Sequence, residues 1–248
     1  MKKTLFLFLL LTMAVTFAWA QKKYKPWNEW NEKDIQKMLS DSPWAQTQAD
    51  ANTAEMFYRP TTGGGSTRPL DAPSNAGTDS NSNNRSTQGA LNQAVAVNYR
   101  IRFLTARPIR QAFARRSQLL NPQLADQLKA FAEQKSDKWI VLAVDFDAQD
   151  RRLLGQAQQA FAAANAAGLK NNTYLETKNG KRLFLDQYVP PGNDGMGAKF
   201  VFPRIQENEP FVTESSGFVR FYSEISKDIR LNMRFKISDM MYDGNLEY

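Results

Sequence analysis

The sequence predicts an α+β fold: a β-rich C-terminal half, sandwich-like or a curved antiparallel sheet, with two or three helices packed on it, plus a short helical N-terminal arm. Three patterns indicate this class. Residues 95–103 alternate between apolar and polar side chains, as a half-buried strand does. Two stretches between residues 108 and 167 repeat apolar residues at helical spacing. From residue 173 onward, short alternating runs are separated by turn residues, which is typical of antiparallel strands.

The chain begins with a pattern typical of a secretory signal peptide, residues 1–20. Two lysines precede an uncharged apolar run, and Ala18-Trp19-Ala20 is a small-residue cleavage motif. The apolar run is shorter than the roughly 20 residues that cross a bilayer. We therefore expect an exported protein, periplasmic or extracellular, that begins at Gln21 and has no transmembrane span after cleavage.

Three segments follow the signal peptide. Residues 21–59 are a Trp-rich helical arm, and residues 60–92 are a low-complexity linker. The linker consists mainly of Gly, Ser, Thr, Asn, Pro and Asp, which bury too little apolar surface to offset the cost of ordering. Residues 93–248 are the α+β domain, long enough for one core.

The composition excludes several kinds of catalytic site. The chain has 0 Cys and 0 His, so it holds no Ser-His-Asp triad, no cysteine nucleophile and no His/Cys zinc site. The missing cysteine also indicates a protein without disulfides or a lipid anchor. Loss of Lys2 and Lys3 with the signal lowers the net charge of +7 by two, to +5. We expect no cofactor, and carboxylate chemistry is the main enzymatic route left.

The arm contains a short helix with a recognisable start. Asn31 is placed to cap it with Asp34 at the third helical position, and Trp30 and Ile35 are spaced as a hydrophobic staple. A turn follows at Ser42-Pro43, with Ser42 as a second cap and Pro43 at a first helical position.

The arm's tryptophans have two interpretations. Trp27, Trp30 and Trp44 either form an aromatic platform for a glycan or peptide, or dock on the main core. We favour docking, because large aromatic side chains dominate core burial.

The domain's elements follow in order. The strand at 95–103 leads into a helix from Pro108, and Asn121-Pro122 opens a second helix. Residues 138–147 form a near-continuous apolar strand, expected to be central, and an Ala-rich helix over 150–167 stops at Gly168. Hairpins are predicted at Asn179-Gly180 and Asp243-Gly244, with strands between them.

Two short motifs resemble a group of uncharacterised exported bacterial proteins with an N-terminal Trp/DSPW motif. They are NEKDIQKMLSDSPWAQ at 31–46 and TARPIRQA at 105–112, at the end of a strand. The resemblance implies export and a β-rich body, and it brings no activity, cofactor or catalytic residue.

The arginine-rich stretch 97–116 yields one candidate anion site. Free amides at the helix N-terminus, with Thr105, Arg107 and Arg102 nearby, suit a phosphate, sulfate or carboxylate. The alternative is a solvated basic face. Arg116 falls on the apolar helix face, where it must either extend to solvent or pair with an acid such as Asp145. Aromatic residues here occupy the faces opposite the arginines, which argues against nucleic acid as a partner.

Two acidic sets are weaker candidates. Asp145, Asp147 and Asp150 end a buried strand, where oxygen ligands suit Ca²⁺ or Mg²⁺, but their spacing is not that of an EF-hand. We expect no metal and interpret them as turn and helix N-terminal acids. A carboxylate-dependent glycan hydrolase would draw its two acids from Glu176, Asp186, Glu214 and Glu224.

The sequence on balance indicates a non-enzymatic binding or scaffolding protein of the cell envelope. Its expected partner is an anionic envelope polymer or another envelope protein. The glycan hydrolase is the alternative.

Overall fold

The computed structural model describes residues 24–51 and 96–248. The predicted signal peptide, residues 1–20, and the predicted linker, residues 60–92, lie outside the described residues. The described chain forms an α+β fold whose C-terminal half is rich in antiparallel strands, as predicted.

The structure has thirteen strands and five α-helices within the described residues. The strands are β1 (Ala45–Ala51), β2 (Ala96–Phe103), β3 (Trp139–Ala148), β4 (Thr173–Thr177), β5 (Arg182–Phe184), β6 (Gln187–Val189), β7 (Ala198–Pro203), β8 (Ile205–Gln206), β9 (Glu209–Pro210), β10 (Phe218–Glu224), β11 (Arg230–Lys236), β12 (Met241–Tyr242) and β13 (Asn245–Leu246). The helices are α1 (Glu32–Ser40), α2 (Arg107–Leu120), α3 (Ala125–Glu133), α4 (Arg151–Ala163) and α5 (Ala166–Leu169). None of these helices is long and apolar enough to span a bilayer.

Two antiparallel sheets pack face to face. The five-stranded sheet has the order β1-β2-β3-β7-β6, and the four-stranded sheet has the order β11-β10-β4-β5. Aromatic rings fill the space between the sheets: Phe103 meets Phe235 at 4.9 Å between centroids, and Phe200 meets Phe221 at 5.2 Å. The predicted apolar strand, now β3, lies at the centre of the larger sheet.

The two sheets are joined at both edges. Along one edge the Gln48 side chain donates to the Arg230 carbonyl at 2.8 Å and accepts from the Asn232 amide at 2.8 Å. At the other edge the chain runs from β5 through Leu185 and Asp186 directly into β6. These links leave the four-stranded sheet with one inner face on the core and one outer face.

The N-terminal arm belongs to this fold. Trp30 and Trp44 are buried, and the Trp44 indole donates to the Glu247 carbonyl at 2.9 Å, so these two tryptophans dock as predicted. The predicted capping box is present, since the Asn31 side chain accepts from the Asp34 amide and the Asp34 side chain accepts from the Asn31 amide.

The structure differs from the sequence prediction at two elements. After Ser42 the chain turns into β1, which pairs along β2 from Ala45 to Ala51. The prediction of a helix restart at Pro43 is therefore wrong. The Ala-rich helix ends at Ala163 rather than at Gly168, because the Asn165 side chain accepts from the Gly168 amide at 2.9 Å and caps the short α5.

Candidate binding face

The turn predicted to bind an anion is occupied by carboxylates of the protein itself. The Arg107 amide, at the start of α2, donates to Glu247 Oε2 at 3.1 Å, and the Arg107 guanidinium pairs with Asp243 at 3.1 Å. Thr105 Oγ1 accepts from the Val141 amide at 3.2 Å. The helix N-terminus thus holds a carboxylate, and an external anion would have to displace Glu247.

Arg102, the third residue of that prediction, lies beneath α1. It shares a strand face with Arg100, as predicted, but its exposed fraction is only 2 %. Its guanidinium donates to the Leu39 carbonyl and to Asp145 Oδ2, the latter at 2.8 Å. Burial lowers the pKa of Arg102, and the neighbouring Asp145 offsets part of that effect. Arg102 is therefore a buried structural cation.

The aspartates of the weak metal prediction have two separate roles. Asp145 and Asp147 both pair with the Arg100 guanidinium, whose Nε donates to Asp145 Oδ1 at 2.6 Å. Burial would raise the pKa of Asp147, but hydrogen bonds from Asn98 and Arg100 outweigh it and lower that pKa. Asp150 caps α4 through the Arg152 amide at 2.8 Å. Among the residues described, no group of three or more His, Cys, Asp or Glu side chains is placed to hold a metal ion.

Arg116 does not pair with Asp145, and its side chain is partly exposed, which agrees with the alternative that it extends to solvent. Its guanidinium lies over the Phe113 ring, 5.0 Å from the centroid, while Asp145 pairs with Arg100 and Arg102. A cation over an aromatic face at the surface is stabilised without an acid.

The four carboxylates considered for hydrolysis are spread over the β-rich half. Glu176 lies between two arginines, with Oε2 at 2.6 Å from Arg182 and Oε1 at 2.8 Å from Arg220. Glu224 pairs with Arg230 at 3.3 Å. Asp186 lies at the crossover between the sheets, and Glu214 lies in a short 3-10 turn before β10. Both oxygens of Glu176 are thus engaged by guanidiniums.

The outer face of the four-stranded sheet carries a different arrangement, which the sequence did not reveal. We use "outer face" for the side chains of this sheet that point away from the five-stranded sheet. Along β10 the inward residues Val219, Phe221 and Ser223 are buried, whereas Arg220 and Tyr222 between them remain partly exposed. Alternation along the strand therefore leaves one whole sheet face in contact with solvent among the described residues.

Register brings the outer side chains into two rows that cross all four strands. The first, the aromatic row, runs Phe184, Tyr174, Tyr222 and Asn232. The second, the arginine row, runs Arg182, Glu176, Arg220 and Arg234. Neighbouring members of each row lie directly opposite one another in the strand pairing. The rows are two residues apart along each strand, about 7 Å.

The aromatic row is a continuous set of touching rings. Tyr174 stacks on Tyr222 with centroids 5.1 Å apart and an interplanar angle of 23°, and Phe184 meets Tyr174 edge-on at 5.9 Å. The Arg182 guanidinium lies 4.4 Å from the Tyr174 centroid. Phe184 keeps 46 % of its surface exposed, so its ring is accessible to a partner.

The arginine row has more positive than negative charge. The row contains three arginines and one carboxylate, Glu176, which pairs with Arg182 and Arg220, so its formal charge is +2. Arg220 and Arg234 are directly opposite each other, and like charges in that relation repel. Arg220 Nε is buried without a hydrogen-bond partner. That nitrogen is shielded from solvent, so the positive charge open to a ligand is that of the exposed Arg182 and Arg234.

Comparison with known proteins places no constraint on this surface: the sequence matches no protein-family profile, and neither curated proteins nor solved structures gave a match.

Proposed function

We propose that the protein is an exported, non-enzymatic binding or scaffolding protein of the cell envelope, and that the outer face is its contact surface. The proposal of export rests on the N-terminal pattern of residues 1–20. The observation that carries the choice of surface is the pair of rows, aromatic and arginine, on a sheet face that no other described element covers. Aromatic and arginine side chains are the residues most enriched where proteins contact partners.

The predicted anion site is a poorer choice for this role. Its amide and guanidinium groups already bind Glu247 and Asp243, whereas the outer face presents exposed guanidiniums on Arg182 and Arg234 and an exposed Phe184. A partner gains more where fewer internal contacts must be broken.

Export is tested by fractionating expressing cells and determining the N-terminus of the protein found outside the cytoplasm. We expect that chain to begin at Gln21. A full-length chain retained in the cytoplasm would contradict the proposal.

Binding is tested by cosedimentation with insoluble envelope material from the same cells. The test variant is Arg182→Gln with Arg234→Gln, which removes two positive charges from the outer face. The matched control is Lys129→Gln with Arg151→Gln, which removes two charges from exposed positions on α3 and α4. We expect the first pair to lose binding and the control pair to keep it. Equal loss in both would indicate nonspecific attraction and refute the assigned surface.

The same material also tests the alternative of a glycan hydrolase. We expect no release of new reducing ends during prolonged incubation. Release that disappears in Glu176→Gln would favour the hydrolase instead.

A further inference from the structure

The two rows of the outer face have the dimensions of a short polymer site. Four strands about 4.8 Å apart make each row about 14 Å long, and the rows lie about 7 Å apart. A chain lying across the strands on the aromatic row would place its side groups beside the arginine row. This geometry suits a polymer with rings along its axis and charged groups to one side.

The charge of the second row specifies the sign of those groups. Arg220 and Arg234 face each other without an intervening acid, since Glu176 lies on the far side of Arg220. The Arg234 guanidinium lies over the Phe218 ring, 4.3 Å from its centroid, which holds the cation at the surface. An anionic group between the two guanidiniums would relieve their repulsion and accept from both.

The aromatic row indicates sugar rings rather than nucleobases. Nucleobases stack on free aromatic faces. In this row Tyr174 and Tyr222 cover one face of each other, and Arg182 lies over Tyr174. Tyr174 therefore has little free face for a base, whereas the exposed ring of Phe184 can receive the C–H surface of a sugar.

We propose that the ligand of the outer face is an acidic polysaccharide. Its uronate carboxylates pair with Arg220 and Arg234, and its sugar rings lie against Tyr174, Tyr222 and Phe184. This inference rests on the proposed function, because it names the ligand of the same surface.

The test compares three probes that separate charge from ring chemistry. Polygalacturonate oligosaccharides have both negative charge and sugar rings. Fully methyl-esterified polygalacturonate has the sugar rings without the charge. A single-stranded DNA oligonucleotide has negative charge, with nucleobases as its aromatic rings. Affinities are measured by calorimetry with the purified protein at low salt. We expect binding of polygalacturonate, weakened about tenfold or more by esterification and weakened again as salt rises.

Two variants at exposed positions test the two rows separately. Arg234→Gln should weaken polygalacturonate binding about fivefold, the upper end for an exposed ion pair, and Phe184→Ser should weaken both the charged and the esterified probe. Arg151→Gln on α4 is the control and should leave the affinity unchanged. Thermal melting checks that each variant is folded. All three positions are exposed, so we expect the substitutions to leave the fold intact.

Each outcome decides between the two proposals. Equal affinity for the charged and the esterified probe overturns the acidic polysaccharide. So does tighter binding of the oligonucleotide, if Arg234→Gln and Phe184→Ser weaken that binding. Absence of polygalacturonate binding also overturns it, while envelope cosedimentation that still depends on Arg182 and Arg234 leaves the proposed function standing. If polygalacturonate does not bind and envelope cosedimentation does not depend on Arg182 and Arg234, both proposals are refuted.

Discussion

Removal of the Asp145 carboxylate should destabilise the protein more than removal of any other acid on its strand. Asp145 keeps 22 % of its side chain exposed, but its partner Arg102 keeps only 3 %. Asp145→Ala leaves that guanidinium buried with the Leu39 carbonyl as its remaining acceptor. Breaking a buried pair costs about 3–5 kcal/mol, and the partial exposure of Asp145 lowers our expectation to about 3 kcal/mol. With a urea slope of about 2 kcal/mol/M, the midpoint should fall by about 1.5 M.

A matched control lies two residues away on the same strand. The Asp147 side chain is 50 % exposed and pairs with Arg100, so Asp147→Ala should cost less than about 1 kcal/mol. A double-mutant cycle that combines Asp145→Ala with Arg102→Met then measures the coupling energy of this pair, because the double variant no longer contains the buried cation. Equal losses for the two aspartates, or additive losses in the cycle, would refute the buried pair.

Three further predictions concern the backbone, the tyrosines and the first helix. Gly197→Ala should cost about 2 kcal/mol or more in urea unfolding, since Gly197 has φ +86° and a Cβ would lie 2.2 Å from the Val144 carbonyl oxygen; an unchanged midpoint would contradict this. Burial raises the pKa of Tyr188 and of Tyr242. Above about pH 10, the pKa of an unfolded tyrosine, unfolding releases their protons, so the free energy of unfolding should fall as pH rises. Ultraviolet titration of the folded protein in which all tyrosines ionise normally would disprove this. Asn31→Ala should cost about 1 kcal/mol through loss of the α1 cap, and a stability equal to wild type would show that the cap contributes nothing.

The fold class was predictable because the patterns that specify it are local. Alternation identified β10 and β11, and the Asn179-Gly180 and Asp243-Gly244 dipeptides marked hairpins whose glycines have positive φ. Strand β1 was not predictable in the same way. Its sequence AQTQADA has no aromatic residue and only one β-branched residue, and its conformation depends on pairing with β2.

The candidate surface could not be derived from single segments. Along residues 97–116 the aromatic and basic side chains do not share a surface, because Arg102 is buried and Tyr99 lies on the opposite face of the strand. In the outer face the interleaving runs across strands, so Arg182 and Arg234 become members of one row although 52 residues separate them. Such a row is visible only once strand order and register are known.

The central claim is that the outer face contacts the partner, and hydroxyl-radical footprinting tests it most directly. The protein is oxidised alone and in the presence of saturating envelope polymer, and the modification of individual side chains is compared. We expect protection of Tyr174, Tyr222 and Phe184, with Leu120, which is 83 % exposed on α2, as the unprotected reference. Protection at Leu120 with unchanged oxidation of the three aromatic side chains would contradict the account.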